Sequence, residues 1–232
     1  MRGVVKDSVL AFFREAKPGR LLDIPSGTCW LARGLEDLPG WEYFGVDLFA
    51  DPKSENFRRA DLNDDIPFEE GQFDYVACLE GLEHIENLHH ALREFHRVLK
   101  PGGTLVVSTP NPLCIASRKR YLMTGTYYGF PHLVHMPKEG EHVHINPINL
   151  SSLISFAGKY GFDLGLIHPL KPNAKMYRFI IAVMRIKVYT WLKYISRDRE
   201  TKVFMERLSS VNVLLNNEML VSFKKRQEES RL

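Results

Sequence analysis

The chain has 232 residues, 44% of them hydrophobic, which is enough to bury one good core, so a single domain over 1–232 is expected. A formal net charge of +3, with its basic residues scattered rather than striped, makes no case for nucleic acid, and the short runs Arg118-Lys119-Arg120 and Lys224-Lys225-Arg226 read as solvated faces. Three cysteines, Cys29, Cys78 and Cys114, are an odd count beside apolar stretches, which argues against a disulfide framework and for reduced thiols in the cytoplasm.

In chain order, residues 5–16 read as an amphipathic helix through Val9, Leu10, Phe12 and Phe13. A strand follows at 20–24, a helix at 28–37 and a strand at 42–47. Residues 50–60 form a short connection with room for a shortened helix, and 61–71 an acidic loop. A strand at 73–79 leads to a helix at 87–98, which carries Leu88, Leu92, Phe95 and Leu99 on one face. Lys100-Pro101-Gly102-Gly103 is a turn before a strand at 104–109. Residues 110–148, rich in Pro, Gly, Tyr and His, read as a long functional loop. A helix at 150–160 stops at Gly161, a strand occupies 162–169, residues 175–214 are helical, and a last strand lies at 218–224. Strands alternating with helices imply a parallel α/β sheet covered on both faces. No leader segment is expected from the N-terminal pattern, and no run of 18 apolar residues suggests a spanning helix.

The first strand and turn read Leu21-Leu22-Asp23-Ile24-Pro25-Ser26-Gly27-Thr28-Cys29, and the second strand ends Gly45-Val46-Asp47-Leu48. A carboxylate in Asp47's place suits the two hydroxyls of a ribose. A dinucleotide turn needs G-x-G-x-x-G, of which Gly27 alone survives. Asp23 at the end of the first strand would repel a phosphate and favours a cation. S-adenosylmethionine, with a sulfonium, an ammonium and no phosphate, fits better than NAD or ATP.

The same turn resembles motif I, D-x-G-x-G-x-G, of the class I S-adenosylmethionine-dependent methyltransferases. Ala60-Asp61-Leu62 resembles the family's adenine-contacting site, Phe73 to Glu80 its fourth strand, Leu82-Glu83-His84-Ile85 its L-E-H signature, and Arg97-Val98-Leu99-Lys100-Pro101-Gly102-Gly103 its R-V-L-K-P-G-G turn. Ser108-Thr109-Pro110-Asn111 is similar to the ubiquinone-type O-methyltransferase and sugar-methyltransferase branches. The likeness covers roughly residues 5–168 and a last strand near 218–225. It implies a Rossmann-like seven-stranded sheet with helices on both faces, the last strand antiparallel between the fifth and sixth, and a helical insertion at 175–214. It also implies methyl transfer to an oxygen, less readily a nitrogen, of a small molecule, sugar or glycolipid. The cofactor-binding positions it implies are Asp23, Pro25, Ser26, Gly27, Asp47, Leu48, Asp61, Leu62, Leu79 and Glu80. Pro25 and Cys29 replace two motif glycines, and Cys29 would be strained if its position needs a positive φ. That departure supports a rival reading, a regulatory partner that binds the cofactor without turnover.

A base for a hydroxyl acceptor would be His84, His142 or His144. His132, His135, His142 and His144, with Glu139 and Glu141, could instead hold a transition metal, but no cysteine accompanies them and no metal is expected. Residues 177–195 are densely apolar with Arg178, Arg185, Lys187 and Lys193 interspersed. They read as a helix buried against the domain, as an interfacial helix making a peripheral contact with an anionic inner membrane surface, or as an oligomer contact. The apolar content also suggests a roof over an acceptor pocket, shared with the 110–148 loop.

Overall fold

The computed structural model describes residues 3–50, 55–130, 143–172 and 174–227. Its strands are β1 (Arg20–Asp23), β2 (Glu42–Asp47), β3 (Phe57–Arg59), β4 (Phe73–Leu79), β5 (Leu99–Pro110), β6 (Phe162–Ile167) and β7 (Glu218–Lys225). Its helices are α1 (Gly3–Glu15), α2 (Trp30–Leu35), α3 (Leu88–Val98), α4 (Ile115–Thr124), α5 (Leu150–Lys159), α6 (Ile180–Tyr194), α7 (Arg199–Leu208) and α8 (Val211–Leu215), with 3-10 turns at Leu82–His84 and Ala174–Phe179.

The seven strands form one sheet in the order β3-β2-β1-β4-β5-β7-β6. All neighbours up to β5 are parallel, and β7 runs antiparallel to both β5 and β6. The central strands are mostly buried because both faces are covered. Side chains alternate along a strand, so Leu21 points to a core built by Val5, Val9 and Phe13 of α1 and Leu31 and Leu35 of α2. Its neighbour Leu22 joins Leu92, Phe95 and Val98 of α3 and Leu153 and Ala157 of α5 on the other face. The same alternation divides Ala77 from Cys78 and Val106 from Val107. Truncating Phe95 to alanine would cost about 3–5 kcal/mol by the ordinary cost of an emptied core site.

Helix starts follow their caps. The Asn87 side chain accepts from the His90 amide and Asn149 from the Ser152 amide. Three local readings are corrected. The 110–148 stretch holds the ten-residue helix α4, started by Cys114, whose sulfur accepts from the Ser117 amide, and closed at Gly125 with φ 72°. Around it, Pro and Gly punctuation hides the helix from a composition reading. In the 50–60 connection the described part is the strand β3. Lys225 is not solvated: it is buried, and its Nζ donates to the carbonyls of His96 and Leu99 at 2.8 and 2.9 Å.

The insertion between β6 and β7 is helical, as expected, and is made of α6, α7 and α8 after a 3-10 turn. It leaves from the end of β6 and returns at Glu218, opposite Pro110 at the end of β5. It therefore lies at the carboxyl edge of the parallel strands.

Candidate functional site

A cavity of about 600 Å³ opens at the carboxyl ends of β1, β2 and β4, where the strand order reverses direction. Ligands in open α/β sheets bind at that switch point. Its walls come from the β1–α2 turn (Pro25 to Thr28), the ends of β2 and β4, the 60–63 segment and the L-E-H turn.

Asp47 is fixed from three sides. Its Oδ2 accepts the Gly27 amide at 2.7 Å, and its Oδ1 accepts the Phe49 and Ala50 amides, each at 2.8 Å. A carboxylate offers roughly four acceptor sites, so about one remains for a ligand hydroxyl. Asp61 lines the cavity beside Leu62, and its Oδ1 accepts the Asn63 amide at 2.8 Å. Asn63 in turn accepts the Glu86 amide at 2.8 Å, which ties this loop to the approach to α3. Glu80 takes φ 55°, unusual for a residue with a Cβ and typical of strained ligand sites. Its Oε1 accepts from the Ser108 hydroxyl at 3.1 Å.

Of the sequence-predicted positions, Pro25, Ser26, Gly27, Asp47, Leu48, Asp61, Leu62, Leu79, Glu80 and His84 all line this cavity. Asp23 does not: it is buried below the turn, 1% exposed. Its Oδ2 accepts from the Tyr43 hydroxyl at 2.7 Å. Burial raises its pKa to about 7, the Tyr43 hydrogen bond opposes the rise, and the nearby Asp47 charge adds to it. Cys29 adopts φ 52° and ψ 36°, so its position does need a left-handed backbone, but the residue itself is outside the wall.

The Val143 carbonyl and the His144 ring orient His84. Its Nδ1 lies 3.1 Å from the Val143 carbonyl oxygen. A carbonyl only accepts, so Nδ1 carries the proton, and in the neutral ring Nε2 holds the basic lone pair. The His144 ring packs edge-on against His84, 4.7 Å between centroids, and does not line the cavity. His142, with His132, His135, Glu139 and Glu141, lies outside the described residues. The Glu83 carboxylate is buried, and burial first, then the neighbouring Glu80, push its pKa well above the carboxylate range. Glu83, His84 and His144 each bring one ligand atom within 4.8 Å of the others. Three such donors could contact a cation, one fewer than the four of a closed structural zinc site.

Several wall residues were not foreseen. Lys6 arrives from α1, the one Lys or Arg among the described residues of the wall, and lies 5.0 Å from the Trp30 ring centre. Val143 and Ile145 are held there because the amides of Ile145 and Asn146 donate to the Glu83 carbonyl at 2.9 and 3.1 Å. Gly81 is needed for close approach, since a Cβ there would overlap the Pro25 ring. No residue of α6 lines the cavity, so the insertion is not its roof among the described residues.

The donor set suits S-adenosylmethionine. Asp47, Asp61, Glu80 and Glu86 would repel phosphate and favour a cation, and Lys6 offers a partner for one carboxylate. The Ser26 hydroxyl is buried and has no partner among the described residues.

A family model described as a methyltransferase domain matches residues 1–165. The chain is 32% identical over 117 residues to a demethylmenaquinone methyltransferase of Chlorobaculum tepidum, covering 47% of this chain and 48% of that protein. It is 39% identical over 107 residues to the Thermus thermophilus protein of the same name, covering 40% and 48%. The chain thus spans about half the length of these curated relatives. Among solved structures, an S-adenosylmethionine dependent methyltransferase from Mesorhizobium loti matches with a TM-score of 0.55 and 17% identity, over 96% of this chain and 100% of that one.

Proposed function

The chain belongs to the methyltransferase domain family, and from that premise we propose that it is an S-adenosylmethionine-dependent methyltransferase whose acceptor is an oxygen of a small, partly apolar molecule. The observation that carries this reading is His84. Its tautomer is set by the Val143 carbonyl, the residue belongs to the cavity wall, and a hydroxyl acceptor is the kind that needs such a base.

When bound, S-adenosylmethionine supplies an electrophilic methyl group on a sulfonium. Asp47 would accept from one ribose hydroxyl, Asp61 and Leu62 would face adenine, and Lys6 would pair with the cofactor's carboxylate. His84 Nε2 takes the proton that the acceptor hydroxyl gives up and then returns it to water. Val143 and Ile145, the latter held by the Glu83 carbonyl, present apolar surface beside His84, and alignment there supplies much of the rate. The relatives' name, demethylmenaquinone methyltransferase, speaks for a small-molecule acceptor of the quinone kind.

The test is isotopically labelled methyl transfer to a panel of phenols and quinols, simple sugars, glycolipids and amines, with products located by mass spectrometry. The expected product carries the label on a phenol or quinol oxygen. Label only on nitrogen, carbon or a sugar would overturn the reading.

A further inference from the structure

Helix α6 should be a buried element by its composition, yet among its residues Val183 and Thr190 alone are buried. Val183 anchors it to Met176, Ile115, Leu214 and Leu215, a small core separate from those of the sheet. The opposite face is open. Ile181 is 68% exposed and Leu192 61%, and Met184, Val188, Trp191 and Ile195 accompany them. At 3.6 residues per turn these six side chains fall on one side of the helix.

Charge says what this face meets. Residues 174–197 contain Lys175, Arg178, Arg185, Lys187, Lys193 and Arg197 and no Asp or Glu. Lys187 flanks one side of the apolar face, and Arg178 and Arg185 flank the other. The neighbouring helix α4, which shares the same small core, exposes Leu122 and Met123 beside Arg118, Lys119 and Arg120, again with no acid. A second copy docked face to face would set this all-basic rim against itself. A helix of 15 residues is about 22 Å long, short of the ~30 Å hydrocarbon core, and no described helix is long and apolar enough to cross a membrane. An apolar face rimmed by cations suits the plane of an anionic interface.

We propose that the outward face of α6 docks the protein on an anionic lipid surface. The docking places the carboxyl edge of the sheet, which also carries the cavity, on the membrane side of the molecule.

The experiment is sedimentation of the full chain with phosphatidylcholine vesicles, with and without phosphatidylglycerol, over a range of salt. Binding to the anionic vesicles is expected, falling as salt rises, with a blue shift of Trp191 emission. Ile181→Glu/Val188→Glu/Leu192→Glu should weaken binding at least tenfold. Arg185→Gln/Lys187→Gln should weaken it about tenfold or more. Both variants should keep wild-type affinity for S-adenosylhomocysteine, because α6 is no part of the cavity. Absence of vesicle binding at low salt, equal binding to neutral vesicles, or variants that sediment like wild type would overturn the proposal. So would a dimer in sedimentation velocity that the triple variant abolishes without any lipid binding.

Discussion

The Gly27 amide donates to the Asp47 carboxylate at 2.7 Å, joining the turn after the first strand to the end of the second. This bond shapes the cavity before any ligand arrives, because Asp47 also holds the Phe49 and Ala50 amides. Asp47→Ala would remove both the ribose acceptor and the clamp on two loops. S-adenosylhomocysteine should bind ten- to a hundredfold more weakly by calorimetry, a loss of about 1–3 kcal/mol. Thermal stability should fall as well. A variant that binds like wild type would show that the remaining acceptor position of Asp47 is unused.

His84 gives a different signature. His84→Gln keeps a donor for the Val143 carbonyl but removes the basic nitrogen. Turnover should drop roughly 10²–10⁴-fold while S-adenosylhomocysteine affinity stays within about twofold. His144→Gln should have the smaller effect, since His144 packs on His84 without reaching the wall. Turnover that collapses on chelation and returns with a divalent cation would instead assign Glu83, His84 and His144 to a metal.

How legible all this was depends on the range of the interactions. β1 and β2 were readable from the apolar residues at their centres, Leu21-Leu22 and Phe44 to Val46, and Asp47 because it ends the second of them. The order of the sheet came from the family likeness, not from any local pattern. Lys6 and Trp30 meet across the first turn, and nothing near Lys6 in the chain marks it. Ile145 reaches the wall through its backbone bond to the Glu83 carbonyl and Val143 through its carbonyl's contact with His84, which no side-chain pattern encodes. The apolar density of α6 was plain, but density alone reads the same for a buried helix and an outward one.

Asp23 makes stability depend on pH in a definite direction. The folded residue keeps its proton up to about pH 7, while an ordinary aspartate ionises near its usual value of 3.8. Between those values the folded state binds more protons than the unfolded state, so stability declines as pH rises from about 4 to about 7 and then levels off. Asp23→Asn keeps an acceptor for the Tyr43 hydroxyl and cannot ionise. Wild type and variant should unfold at similar urea concentrations near pH 4. At pH 8 the variant should be the more stable, by something on the order of a few kcal/mol. A constant difference between the two across this range would mean that the buried carboxyl does not titrate there.

Cys29 carries the last expectation. At φ 52° and ψ 36° it occupies a backbone region that costs a residue with a Cβ roughly 1–2 kcal/mol. Glycine removes that strain but loses more chain entropy on folding, by roughly 0.5–1 kcal/mol. It also gives up the cysteine's contact with the Tyr43 hydroxyl. The strain is the larger of the first two quantities, and the sulfur is a weak hydrogen-bonding partner. Cys29→Gly should therefore stabilise the protein by about 0.5 kcal/mol, and Cys29→Ala, which keeps the Cβ and loses the sulfur, should destabilise it. Because Cys29 is outside the cavity wall, S-adenosylhomocysteine affinity should stay within about twofold in both variants. Urea unfolding of the three proteins decides the matter. Glycine less stable than alanine would show that the left-handed backbone at this turn is not under strain.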